Sequence, residues 1–350
     1  MLLLTLRDAQ YRAVRFVVVT LLASVVFALL FLMTGLVEQF HREPEDAARG
    51  FGAETWALGA GVTGPFTASS TVSMAMLDAV NTVEAAQKAP VAVGRGSLHD
   101  RDRSHEVMVI GTRVGGLGSP RIVKGRAVSV PGELVADRSA HVRVGSQIRV
   151  GDTAFTVVGL TKDATVLAGV PFVYVTFEEA QDLIFGTRSV ATGFLVNGAR
   201  GDAPAGLSFR SADDIAADTL KPLENAIVSI DLVRGLLWLV ATIIIGAVVY
   251  LSALDRLRDF AVLKAVGASN RSLAAGLGLQ AVVTALLAVF IASGLQILMR
   301  PAFPLRIRVP PVAFVQVPLL AAVVSLLAAG VGMRKVVRSD PATAFAEPGR

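Results

Sequence analysis

The sequence predicts an α+β membrane protein with four transmembrane helices and a large α+β extracytoplasmic domain between helices 1 and 2. Hydrophobic residues make up 53% of the 350 residues, and the mean hydropathy is +0.61, which is typical of a membrane protein. Four runs without a charged side chain are long enough to cross a bilayer, since a span needs about 20 apolar residues. A long stretch of mixed composition separates the first run from the second.

Extensions of helices 1 and 2 beyond the membrane are expected to form a stalk. The chain after helix 1 is helix-compatible until Pro44, and the chain before helix 2 turns helical at Ser211, with a kink expected at Pro222. The predicted segments are a cytoplasmic amphipathic helix (1–15), helix 1 (16–37), the external domain with its stalk (38–234), helix 2 (235–254), a cytoplasmic loop (255–271), helix 3 (272–299), a short outer loop (300–308), helix 4 (309–333) and a cytoplasmic tail (334–350).

Basic residues next to the spans predict the orientation, because cytoplasmic loops carry an excess of lysine and arginine. Both chain ends and the loop between helices 2 and 3 are basic, which predicts that both termini are cytoplasmic. The outer loop disagrees, since it contains Arg300, Arg306 and Arg308, and three basic segments outweigh this one. Helix 1 follows arginines as a signal peptide does, but its apolar run is too long for one, so an uncleaved anchor is expected.

The external domain is predicted to contain many short strands and a few helices. A helical pattern covers Met76–Gln87, and Gly151 between two β-rich runs suggests a tight hairpin. Thr176 with Glu179 fits a capping box that opens a further helix. Cysteine is absent, so the domain has no disulfide framework and must rely on its own core.

One short segment, Leu254–Ser269, separates helices 2 and 3. Charged residues crowd its first half, and apolar residues then recur at helical spacing, which predicts a short amphipathic helix at the cytoplasmic surface of the membrane. Gly267 is suited to end this helix, and Ser269 is suited to cap the next. A two-residue turn would be enough to join two spans, so this segment is longer than the connection requires.

Catalytic chemistry has little support in the sequence. No lysine follows a glycine, so the chain lacks a phosphate-binding loop and is not expected to hydrolyse ATP. The glycine-rich stretch Gly111–Gly118 lacks a strand–loop–helix setting and is interpreted as a turn-rich loop. His99 and His105 could hold a divalent metal, but the arginines between them favour a solvated hairpin tip. We expect no enzyme activity, no catalytic residue, no metal and no cofactor of its own.

The spans are informative by what they lack. None has a carboxylate, lysine or arginine in its interior, whereas ion-coupled transporters usually carry an ionisable residue there. Gln280 and Thr284, one helical turn apart, could line a path, but hydrogen bonding between helices is the simpler interpretation. The net charge of +5 reflects the basic cytoplasmic segments, so no nucleic-acid partner is expected.

Three motifs along the chain carry a resemblance to a known family: RLRDFAVLKAVGAS at 256–269, DPATAF at 340–345, and VGSQIRV followed by FTVVGL within 144–160. They resemble the FtsX/MacB/LolC-type permease subunits of ABC transporters, including the DevC-like branch, over nearly the whole chain. Asp259 stands where that family usually has glutamate, Ser146 where it has aspartate, and Phe345 where it has leucine.

The resemblance implies a permease with a MacB-like periplasmic core domain in the bacterial inner or plasma membrane. It would act as a homodimer or heterodimer bound to a separate cytoplasmic ABC ATP-binding subunit, which binds the ATP. Its work outside would be export of a lipid, lipoprotein, peptide or drug, or mechanotransmission that activates a cell-wall enzyme, and an extracytoplasmic protein partner stays open. The coupling helix would contact the ATP-binding subunit through Arg256, Arg258, Asp259, Phe260, Lys264 and Gly267.

An alternative from another class is a membrane-anchored receptor or assembly factor without an ATPase partner. A plain receptor needs no amphipathic helix between helices 2 and 3, so the segment Leu254–Ser269 separates the two interpretations and favours the permease.

Overall fold

The computed structural model describes residues 13–100, 103–255, 262, 266–267, 269–303 and 307–338. The chain divides into a helical unit, Met1–Glu38 with Val228–Arg350, and a sheet unit, Gln39–Ile227. Among the described residues, four helices are long and apolar enough to cross a membrane: Val17–Arg49, Ala212–Leu254, Ala275–Ala302 and Ala313–Gly330. The chain is therefore an α+β membrane protein with a large domain between its first and second spanning helices, as predicted.

The described helices are α1 (Ala13–Arg49), α2 (Met76–Thr82), α3 (Phe177–Phe185), α4 (Ala212–Leu220), α5 (Glu224–Asp255), α6 (Asn270–Met299) and α7 (Ala313–Arg338). Alanines are frequent in the buried core of the helical unit, so its helices approach one another closely. At Gly35 of α1, a Cβ atom would lie 2.6 Å from Cγ2 of Ile307, so only glycine fits without a shift. Large apolar side chains such as Phe290 and Leu298 face outward, as expected of a surface in lipid.

The strands of the sheet unit are β1 (Thr55–Gly59), β2 (Val72–Ser73), β3 (Gln87–Asp100), β4 (Arg103–Thr112), β5 (Lys124–Gly125), β6 (Glu133–Asp137), β7 (Gln147–Val150), β8 (Thr153–Thr161), β9 (Thr165–Val166), β10 (Val170–Thr176), β11 (Val190–Ala191), β12 (Gly193–Asn197) and β13 (Leu207–Ser211). The main sheet has the order β13-β1-β12-β3-β4-β10-β6-β8-β5, and β11 pairs with β2 separately. Its β4–β10 and β6–β8 pairs are parallel.

Strand β7 closes part of this sheet into a ring, because it pairs with both β3 and β8. Pairing then runs in sequence through β3, β4, β10, β6, β8 and β7. Leu98, Val109, Phe155 and Val173, which come from four of these strands, are buried in one apolar cluster. The ring therefore has a packed core of its own and needs no disulfide.

A second core of the sheet unit is rich in aromatic side chains and lies where α1 ends. Phe51, two residues after α1, packs edge-on against Trp56 with ring centroids 4.7 Å apart. Phe66 and Phe172 stack at 5.7 Å in the same cluster. Buried aromatic pairs add to the stabilisation from apolar burial, so the exit of α1 is fixed firmly to the sheet.

Several local signals produce the predicted structure. Thr176 and Glu179 form both hydrogen bonds of a capping box at the start of α3, and Ser211 forms another with Asp214 at the start of α4. Gly151, with φ of 56°, lies in the turn that joins β7 to β8. The capping box at Thr176 and the hairpin at Gly151 were predicted from residues a few positions apart and are confirmed.

Two helix predictions were wrong at their ends. The helical pattern at Met76–Gln87 gives a helix that ends at Thr82, because Gln87 pairs with Asn197 as the first residue of β3. Helix α1 does not stop near Pro44 but continues to Arg49. Ala47 and Ala48 are buried in the aromatic core, and this packing holds the helix together beyond a proline that removes one backbone hydrogen bond.

Candidate functional site

The predicted coupling segment is described at its two ends. Helix α5 ends at Asp255, and α6 begins after Ser269, whose hydroxyl accepts a hydrogen bond from the backbone N–H of Ser272 at 3.2 Å. Gly267 has φ of +100°, a conformation that side chains other than glycine rarely adopt. Just before it, the N–H of Val266 donates to the carbonyl of Val262 at 3.0 Å, the spacing of an α-helical turn. The predicted Ser269 cap is therefore confirmed, and Gly267 has a backbone conformation suited to the predicted helix stop.

Most of the side chains expected to contact an ATP-binding subunit lie outside the described residues. Of the six predicted contact residues, Gly267 lies within the described part of the chain. The others lie outside the described residues: Arg256, Arg258, Asp259, Phe260 and Lys264. Their role in docking stays a prediction.

One polar residue of the third span joins two helices. Nε2 of Gln280 on α6 donates to the hydroxyl of Ser252 on α5 at 3.3 Å, and the hydroxyl of Thr284 donates to the carbonyl of Gln280 at 2.8 Å. Both Ser252 and Thr284 are buried. The interpretation as hydrogen bonding between helices is confirmed for Gln280, whereas Thr284 bonds within its own helix.

The histidines of the β3–β4 hairpin do not form a metal site. His99 pairs with Ser104 and His105 with Leu98, so the two imidazoles lie on opposite faces of the hairpin. Among the described residues, no group of three His, Cys, Asp or Glu could hold a metal ion. The stretch Gly111–Gly118 runs from the end of β4 into a turn rather than a helix, which confirms its interpretation as a loop.

The sheet unit contains a buried carboxylate on α1 that the sequence did not reveal. Glu43 is 3% exposed and accepts three hydrogen bonds from the β8–β10 connection: from the hydroxyl of Thr165 at 2.5 Å and from the N–H groups of Ala168 and Gly169 at 2.9 Å. Burial raises the pKa of Glu43, although these hydrogen bonds oppose the rise.

The β8–β10 connection has an unusual backbone. Leu167, Ala168 and Gly169 have positive φ in succession, and Asp163 does so as well. Each such non-glycine residue costs about 1 kcal/mol or more, so the rest of the structure must hold the connection in place. Asp137, which is fully buried, accepts from the N–H of Ala164 at 3.0 Å. Two buried carboxylates thus hold this connection, one from the sheet and one from α1.

A further buried carboxylate lies on α4, the helix that precedes the second span. Asp218 is 5% exposed and accepts from the hydroxyls of Thr63, at 2.6 Å, and Thr67, and from Nζ of Lys221 at 3.2 Å. Burial pushes the pKa of Asp218 upward, but these hydrogen bonds together hold it below its ordinary value. A Cβ atom on Gly64 would lie 2.5 Å from Oδ2 of Asp218, so glycine permits the approach.

Comparisons with known proteins place the chain in a family. The FtsX-like permease C-terminal family matches residues 232–341. An uncharacterized ABC transporter permease of Mycobacterium bovis is 37% identical over 349 residues, which is 99% of this chain and 100% of the relative. Another, from Mycobacterium tuberculosis strain H37Rv, is 36% identical over 353 residues, with the same coverage of both chains.

The periplasmic region of MacB from Actinobacillus actinomycetemcomitans has a TM-score of 0.34 and 14% identity, and the match covers 49% of this chain and 94% of that structure. At that score the likeness adds no argument. The whole-length relatives are permeases, which are components of transporters rather than enzymes, and a permease of this kind implies a cytoplasmic ATP-binding partner. The chain is a multi-pass membrane protein and belongs to the FtsX-like permeases of ABC transporters.

Proposed function

We propose that this permease couples ATP hydrolysis by a separate cytoplasmic subunit to work outside the membrane. The observation that carries the proposal is the break between α5 and α6. A charged segment within a basic loop begins there after α5, and it is followed by Gly267 and the Ser269 cap of α6. The relatives of the chain are ABC transporter permeases, and its sequence lacks a phosphate-binding loop. Both observations support the proposal that another chain binds the ATP. The permease itself then needs no cofactor.

The coupling helix is proposed to dock into the ATP-binding subunit. Asp259, Phe260 and Lys264, with Arg256 and Arg258, supply charges around one aromatic side chain, a combination suited to a protein interface. Basic residues in this loop and at both ends of the chain support cytoplasmic termini. Two permease chains, identical or different, would bind two such subunits.

The permease is proposed either to transmit a mechanical displacement to the outside of the membrane or to export a substrate. Helix α1 passes without interruption from the first span into the sheet unit, and α4 leads through a 3₁₀ turn into α5. A helix can transmit a displacement along its axis, which supports mechanotransmission with helices 1 and 2 extended as a stalk. The substrate classes that fit are a lipid, a lipoprotein, a peptide or a drug, and the alternative output is activation of a cell-wall enzyme.

The proposal is tested on the complex reconstituted in lipid nanodiscs. Charge reversal at Asp259 together with Phe260→Ala should reduce binding of the ATP-binding subunit and remove its stimulation by the permease. Reversal at Asp152, in the exposed β7–β8 turn, is the matched control and should leave both intact. Normal assembly and full ATPase stimulation in the Asp259 and Phe260 double variant would show that the coupling segment is assigned wrongly.

A further inference from the structure

The two helices that connect the sheet unit to the spans share one feature. Each carries a buried carboxylate within one helical turn of a proline: Glu43 directly before Pro44 in α1, and Asp218 one turn before Pro222, where α4 gives way to a 3₁₀ turn. Proline removes a backbone hydrogen bond, so a helix bends most easily at that point. Each carboxylate therefore holds its helix beside its weakest turn.

We propose that Glu43 and Asp218 fasten these helices to the sheet unit and are the positioning residues through which helix displacement reaches it. The inference rests on the proposed function, because it concerns how the work of the ATP-binding subunit would be passed on. Neither residue is proposed to contact nucleotide or substrate.

Glu43 is suited to this role because of what it holds. Its carboxylate takes two successive backbone N–H groups, those of Ala168 and Gly169, and the hydroxyl of Thr165. Successive amides that converge on one anion form a rigid nest, and hydrogen bonds to a charged group are stronger than neutral ones. The held connection joins β8 to β10, which are both members of the closed ring. A shift of α1 at Glu43 therefore acts directly on the ring.

Asp218 acts on a different part of the sheet. Thr63 and Thr67, which donate to it, lie in the connection between β1 and β2. Strand β1 pairs with β12 and β13, at the far end of the sheet order from β8. The two carboxylates thus hold the sheet unit at two separated places, so that helices α1 and α4 would move it as one body.

Exposed acids on the same helices behave otherwise. Glu45 and Asp213 have side chains that are 52% and 79% exposed, and both pair with Arg49 instead of a loop. Burying a charge is costly, and replacing buried ion pairs with well-packed apolar side chains often leaves stability unchanged or raises it. A charged group kept in such a place therefore points to a role besides stability.

Hydrogen exchange of the complete complex in nanodiscs tests this inference, with and without trapped nucleotide. The variants are Glu43→Gln, Asp218→Asn and the two combined, and Glu45→Gln and Asp213→Asn are the matched controls. Single variants should speed exchange about tenfold or more at the amides of the loop that each carboxylate holds. The double variant should keep the nucleotide response of the helical unit and lose that of the sheet unit, with normal ATPase activity and no lower melting temperature.

Each other outcome has a definite meaning. A sheet unit that still responds fully to nucleotide in the double variant overturns this inference and leaves the proposed function standing. A wild-type sheet unit that does not respond at all overturns the mechanical function, and this inference with it. Loss of the response together with a lower melting temperature, or the same loss in the control variants, shows a merely structural role. Thr165→Val, which keeps both carboxylates, should weaken the response in part.

Discussion

At the scale of single residues, burial separates the carboxylates that bind loops of the sheet unit from those that lie on its surface. Glu43 and Asp218 are almost fully buried and accept hydrogen bonds from distant loops. Exposed ion pairs such as Arg188 with Asp182 lie within a few residues of each other and are screened by water, so they contribute little. Substitutions of Glu43 or Asp218 should therefore loosen the loops that these residues hold, whereas substitutions of exposed acids should not.

The pH dependence of stability should carry a signature of Glu43. Burial raises its pKa above the ordinary value of 4.5, so the folded protein binds this proton more tightly than the unfolded chain does. Its contribution to stability is then complete at low pH and is lost as the pH rises from about 4.5 through the raised pKa. We expect Glu43→Gln to flatten the melting temperature against pH in this range. If the melting temperature of Glu43→Gln depends on pH as steeply as that of the wild type, Glu43 titrates in the folded protein as it does in water.

Gly64 should be intolerant of even one methyl group. A Cβ atom there would lie 2.5 Å from Oδ2 of Asp218, in the place where the loop meets α4. Gly64→Ala should destabilise the sheet unit by about 1–3 kcal/mol, because the loop must move away from the carboxylate. Denaturant unfolding of the purified protein measures this. Gly116→Ala is the control, since its Cβ would make only ordinary contacts at 3.5 Å or more, and an equal loss there would contradict the argument.

At the scale of elements, sequence analysis succeeded where the signal was local. The capping box of α3 and the Ser269 cap each depend on residues within three positions of one another. Glu43 could not be found in this way, because Thr165 lies 122 residues further along the chain. Nor could the end of α2, which pairing of Gln87 with Asn197 decides. Long-range pairing overrides local pattern in both cases.

The break between α5 and α6 can be tested through its glycine. Alanine at Gly267 would be strained by about 1 kcal/mol or more, because its φ of +100° suits glycine. Gly267→Ala should therefore displace the coupling segment and weaken binding of the ATP-binding subunit, measured by co-purification and by stimulated ATPase activity. Gly276→Ala is the control, because that glycine lies within α6 with open space around its Cβ position. Equal binding by both variants would show that the backbone at Gly267 is unimportant for docking.

At the scale of the whole molecule, hydropathy predicted the plan of the chain and left the sheet unit's topology open. Four apolar helices and one inserted domain follow from the distribution of charged residues. The closure of the ring by β7 does not, because β3 and β7 pair across a long sequence separation and carry no turn signal between them. Strand alternation specifies which face is buried but not which strand is the neighbour.

Assembly with the ATP-binding subunit should not require the sheet unit. Arg49 at the end of α1 and Asp213 at the start of α4 form an ion pair at 2.9 Å, so the chain enters and leaves the intervening sheet at neighbouring points. Replacing residues 51–210 with a short glycine–serine linker should therefore leave the helices able to insert. We expect this variant to bind the ATP-binding subunit and support basal ATPase activity, yet fail to complement a strain without the permease. Complementation by the variant would place the function in the helical unit alone.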